Sequence, residues 1–92
     1  MIIRIIGEGQ YRAPEALCEE LNKIDNRIVV LVSQGKAQEF RQELARLISE
    51  IKEKGESVSA EEILESDIIV PPEDLSLEEA KEVFTGSGIF ED

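Results

Sequence analysis

Between Pro14 and Lys54 the apolar residues return at helical spacing. Leu17, Leu21, Ile24, Ile28 and Leu31 recur at steps of four, three, four and three, which at roughly 100° per residue keeps all five in one stripe. Ala37, Phe40, Leu44, Leu47, Ile48 and Ile51 draw a second stripe. The short stretch from Ser33 to Lys36 separates the two. Helices over residues 14–34 and 37–54 are therefore expected to fold back antiparallel, each burying its stripe against the other. Pro14 suits a first turn, where no amide donor is needed, and Gly35 and Gly55 stand where left-handed caps would end the helices. On the polar side, Glu19 with Lys23, Arg46 with Glu50 and Glu50 with Lys54 are spaced to pair along the surface.

The β-branched run from Arg27 to Ser33 follows Asp25-Asn26, a plausible turn pair, and also reads as a buried strand. Helix is preferred because the stripe begun at Leu17 crosses Asp25 and Asn26 without losing phase, but periodicity leaves both readings open. On the helical reading Val29 and Val30 fall outside the stripe. The strand or the C-terminal segment is then expected to cover them.

Upstream, residues 2–6 read as a strand with Ile3 and Ile5 on one face and Ile2, Arg4 and Ile6 on the other. Both faces are partly apolar, so the helices should cover one and another segment or subunit the other. A free edge of this strand would allow pairing across a two-fold axis. Gly7 to Arg12 occupies the place of a dinucleotide-binding glycine loop, but the third glycine of that fingerprint falls on Arg12. The expectation is instead a glycine-permitted corner leaving Glu8, Gln10 and Tyr11 exposed.

Downstream of Gly55, Ser59 and Glu62 have capping-box spacing and suggest a short turn over residues 60–64 that includes Ile63 and Leu64. Residues 67–70 read as extended, with Ile68 and Val70 on one face, and Pro71-Pro72 delays any helix. Ser76 and Glu79 form a clearer capping box and open a helix over residues 77–84, with Leu77, Ala80, Val83 and Phe84 as its apolar face. Thr85 to Gly88 ends it, after which Ile89-Phe90 either returns to the core or frays. The fold class is α+β. It is a small single domain built on the helical hairpin, with a short N-terminal strand and a C-terminal helix packed against it.

Composition narrows the functions. A chain of 92 residues suffices for one core. Its single cysteine, Cys18, permits no internal disulfide and fits a reducing interior. The aliphatic runs are too short for a membrane span or a signal-peptide core, so a cytoplasmic location is expected. The net charge is −11, and it resides wholly beyond Lys54, where twelve acidic residues face Lys81 alone. Such a field repels nucleic acid and anionic lipid, and suits either a basic partner or a merely solvated face.

Catalytic equipment is scarce. Histidine is absent, so the usual general base and the commonest metal ligand are missing. Cys18 has no residue near it to activate its thiol and reads as boundary packing. The clusters Glu61, Glu62, Glu65, Asp67 and Glu73, Asp74, Glu78, Glu79 are dense, yet neither shows the spaced ligands and central glycine of a calcium loop. No metal site, cofactor or enzymatic activity is expected.

Met1-Ile2-Ile3-Arg4-Ile5-Ile6-Gly7-Glu8-Gly9-Gln10-Tyr11, the Leu21-Asn22 and Asp25 of the first helix, Phe40-Arg41, Ser66 to Pro72 and Leu75 to Ala80 carry a resemblance over nearly the whole chain. It resembles the PspA-associated domain family, small bacterial and archaeal proteins found alongside phage shock protein A, a coiled-coil, membrane-remodelling stress protein. Lys36 departs from the acidic helix-start residue such a family would carry. The resemblance implies a non-enzymatic accessory protein of the envelope-stress response that binds or modulates phage shock protein A. Glu8, Gln10, Tyr11, Glu73, Asp74, Glu78, Glu79 and Glu82 are then the candidate partner-binding residues. Two other readings are a carboxylate-based cation or small-molecule sensor and a structural module self-associating through the strand Ile2 to Ile6.

Overall fold

The computed structural model describes residues 1–62, 64–86 and 88–90. The elements run β1 (Ile2–Ile5), β2 (Gly9–Arg12), α1 (Glu15–Ser33), α2 (Ala37–Lys54), β3 (Glu56–Ser57), β4 (Ile68–Val70) and α3 (Leu77–Val83). The fold is α+β, with three helices and a four-stranded mixed sheet in the order β3-β2-β1-β4. β2 lies antiparallel to both β1 and β3, whereas β4 is parallel to β1. A parallel neighbour requires a long crossover, and the two long helices supply it.

Two expectations are corrected at β1. Gly7 and Gly9, with φ of 85° and 113°, permit the turn expected and leave Glu8 exposed, but Gln10 and Tyr11 are not part of an exposed corner, because Gly9–Arg12 is the return strand of a hairpin that pairs Gln10 with Arg4. Nor does β1 keep a free edge, since β2 occupies one side and β4 the other. Self-association through the edge of Ile2–Ile6 is thereby closed off: each strand has two edges, and both are already paired.

Ile3, Ile5 and Val70 face the helices and join Leu17, Leu21, Ile28, Phe40, Leu44, Leu47 and Ile51 in one apolar core. Arg27 to Ser33 belongs to α1, so the stripe's phase decides against a strand. Val29 is half-buried against the core, but among the described residues Val30 stays 51% exposed, short of the cover expected for it. Lys54, at the end of α2, meets Glu20 near the start of α1 at 3.0 Å, while Arg27 meets Glu43 at 3.5 Å. The two helices therefore run in opposite directions. Of the pairs expected along the helices only Glu50 with Lys54 forms, at 2.9 Å; Arg46 turns to Glu43 instead, and Glu19 and Lys23 make no ion pair among the described residues.

Gly35 has the left-handed φ of 72° that its place between the helices suggests. Gly55 does not, having φ −82° and ψ 163°. Its requirement is one of space: a Cβ there would stand 2.5 Å from the Ile51 carbonyl oxygen and 3.2 Å from that of Arg12. Gly55→Ala should therefore force α2 and β2 apart and cost about 1–3 kcal/mol. An unchanged urea midpoint would mean that the junction yields freely.

Residues 60–62 form a turn, with the Glu62 amide donating to the Ser59 carbonyl at 3.0 Å, but in place of the expected capping box Ser59 Oγ accepts from the Glu61 amide at 3.3 Å; Ile63 lies outside the described residues. At α3 the capping box forms, with the Glu79 amide donating to Ser76 Oγ at 3.2 Å and the Ser76 amide to Glu79 Oε1 at 3.4 Å. Ser87, within the expected terminator, and the acidic pair Glu91 and Asp92 are also outside the described residues. Ile89 and Phe90 return to the body, and Phe90 is buried. What holds them is Asp25, a carboxylate in phase with the apolar stripe. Its Oδ1 accepts from the Ile89 amide at 3.1 Å and its Oδ2 from the Phe90 amide at 2.8 Å.

Candidate functional site

The sheet has a second face, turned away from the helices. Alternation along β1 places Ile2 and Arg4 there, with Ile6 exposed in the turn that follows, and the register sets Arg4 between Gln10 on β2 and Ile69 on β4. One half of this face is roofed. Gln10 is buried, and its Nε2 donates to the Leu64 carbonyl at 2.9 Å and to Ser66 Oγ at 2.8 Å, pinning the chain across β2. The Ile2 amide donates to Asp67 Oδ2 at 2.7 Å, and Arg12 pairs with Glu62 at 2.9 Å. The other half is open. Ile6 and Ile69 are 45% and 55% exposed, Ile2 is half-buried, and the Arg4 side chain stands among them in solvent. A shallow cleft of about 290 Å³ runs alongside, with Arg4, Glu8, Gln10 and Glu62 in its walls.

The residues expected to meet a partner do not form one surface. Gln10 and Tyr11 are adjacent in an extended strand and so point to opposite faces: Gln10 lies beneath the roof, and Tyr11 packs half-buried against the core. Glu8 pairs with Lys52 Nζ at 2.6 Å. That bond to Glu8 pushes the Lys52 pKa upward, and the charge of Glu8 and more distant Tyr11 and Glu73 act in the same direction. Glu8, Tyr11 and Glu73 thus gather around a helix cation, while Glu8 also borders the cleft that Gln10 lines. Glu79 is engaged in the α3 cap, while Asp74, Glu78 and Glu82 are exposed. Among the described residues no three carboxylate or cysteine side chains come together as metal ligands, so the runs around Glu61 and Glu73 assemble no such group.

Sequence reasoning placed Arg4 on the right face but did not single it out, and it passed over Ile69. The signal was there in the alternation of Ile2, Arg4 and Ile6, which puts a lone charge between two aliphatic side chains. Asp25 was also missed as a functional position. Burial raises its pKa, and the amide bonds from Phe90 and then Ile89 act against that shift. Both carboxylate oxygens are occupied by backbone donors, so its work is to anchor the C-terminal segment. Among the described residues no helix is long and apolar enough to cross a membrane.

A family model described as PspA-Associated protein matches residues 1–92, the whole chain. No curated protein and no solved structure matches it.

Proposed function

The chain belongs to the PspA-associated protein family, and from that membership we propose that it is a non-enzymatic, cytoplasmic accessory module that binds PspA and alters its assembly. The observation that carries this reading is the open half of the sheet, where Ile6 and Ile69 are exposed beside Arg4 and Ile2 is half-buried. Exposed aliphatic side chains clustered on a rigid sheet favour a protein partner, because apolar surface left in water is stabilised by being covered. The strongly acidic C-terminal third supports the same reading, since it suits a partner with basic flanks and speeds the encounter with it.

The test is a calorimetric titration of the full chain into purified PspA at several salt concentrations. Binding should be tightest at low salt and weaken as added salt screens exposed charges within about 10 Å at 0.1 M. Heat changes indistinguishable from dilution at the lowest salt would remove the proposal.

A further inference from the structure

We infer that the docking point on the open half of the sheet is Arg4, and that it receives a carboxylate set in the apolar stripe of a partner helix. This rests on the accessory reading above and goes further by naming the chemistry of the contact.

The first reason is an imbalance. The chain holds 21 acidic residues against 10 basic ones, so a cation has carboxylates to choose from. Arg12 takes Glu62, Lys52 takes Glu8, and Arg27 takes Glu43. Lys23, Arg41, Lys81 and Arg4 make no ion pair among the described residues, and of these Arg4 is the one that shares a cleft with two carboxylates, Glu8 and Glu62. Those two are already engaged with other cations, so the guanidinium is left with its donors open to an incoming acceptor.

The second reason is the setting. Arg4 sits on an interior strand, fixed by neighbours on both sides, with Ile69 across from it on β4, Ile2 and Ile6 before and after it along the chain, and Gln10 on its β2 side. An arginine bordered by aliphatic side chains on three sides suits an interface anchor: covering them excludes water there, and the charge then meets its partner at lower effective dielectric. A carboxylate is the group that matches a guanidinium in charge and in planar geometry. Burying the isoleucines against a partner without one would leave Arg4 desolvated and unpaired, which disfavours a wholly apolar occupant.

The third reason is spacing. Ile2 and Ile6 are about 13 Å apart along an extended strand. On a helix, two apolar residues placed four before and four after an acidic one span about 12 Å. One helical stripe of apolar, acidic, apolar residues therefore lays its acid over Arg4 and its flanks over the two isoleucines. Ile69, opposite Arg4 in register, widens the seat sideways.

The experiment titrates Arg4→Ala, Arg4→Lys and Arg4→Glu full-length chains into PspA, with thermal unfolding of each. Arg4 is exposed and has no ion pair among the described residues, so melting temperatures should be unchanged. Arg4→Ala should weaken binding about tenfold or more, Arg4→Glu further, and Arg4→Lys should retain part of the affinity. A PspA variant with the matching acid changed to Lys should restore binding to Arg4→Glu. If the unaltered chain binds and Arg4→Ala and Arg4→Glu bind equally well, the Arg4 contact is wrong while the accessory reading survives. If the unaltered chain does not bind, both fail. A concentration-dependent dimer in light scattering, lost in Arg4→Glu while PspA binding is unaffected, would assign the face to a second copy and overturn the helix partner.

Discussion

Asp25→Ala is expected to cost about 3 kcal/mol and to free the C-terminal segment. In the folded chain both carboxylate oxygens accept backbone amides, from Ile89 at 3.1 Å and Phe90 at 2.8 Å. Removing them leaves two donors without partners, each costing about 1–3 kcal/mol if they stay buried. The segment can avoid that cost only by detaching, which exposes Phe90 and forfeits about 1.5–3 kcal/mol of apolar burial. Relief of the buried carboxylate offsets part of either loss. For a domain of this size the melting temperature should fall by on the order of 15 °C. Carboxypeptidase should also shorten the variant faster than the natural chain, and equal digestion rates would contradict the anchoring role.

The same carboxylate makes a pH prediction. Burial places its folded-state pKa above the ordinary value of 3.8, so its favourable contribution is fully present below 3.8 and is lost as pH rises through the folded value. Measured against Asp25→Asn, which cannot titrate, the natural chain should gain stability as pH falls through that window. Denaturant unfolding of the two across the acid range reads the difference directly and cancels the contribution of the other carboxylates. A flat difference would show that the amide bonds fully offset the burial.

Phe40→Ala should be the most damaging single change in the helix layer, at about 3–5 kcal/mol. Phe40 is wholly buried, and its ring meets that of Phe84 edge-on with centroids 6.0 Å apart and planes at 69°. It therefore ties the start of α2 to the end of α3 as well as filling the core. Small domains are stable by only about 5–15 kcal/mol, so the variant should be partly unfolded or close to it near 25 °C. Phe40→Leu, which fills most of the volume but loses the ring contact, should cost less. Urea midpoints for the two should rank in that order; equal midpoints would deny the filled volume any weight, and a Phe40→Leu midpoint equal to that of the unaltered chain would deny it to the ring contact.

The sequence made the helices readable for a physical reason. Leu17 to Ile28 and Phe40 to Ile51 carry enough apolar residues at a steady period to outweigh the β-branched run at Val29 to Val32, and Ser76 with Glu79 marks the start of α3 through a local bond. β2 was not legible because Gln10-Tyr11-Arg12 shows no apolar alternation. Its polar face is buried under the remote residues Leu64 and Ser66, a contact spanning more than fifty positions. Among the expected partner residues, period-two geometry separates Gln10 from Tyr11, while Lys52 holds Glu8 near Tyr11 and Glu73.

Local pattern alone determined the three helices, the β1 strand, the α+β class, the family likeness and the one-sided distribution of charge, since each depends on neighbours within a few positions or on a simple count. Tertiary structure alone decided that β1 is an interior strand, that Arg4 has no ion pair among the described residues, and that Asp25 holds Ile89 and Phe90. Those outcomes depend on which distant segments compete for the same edge or the same hydrogen-bonding group. Only the assembled chain resolves that competition.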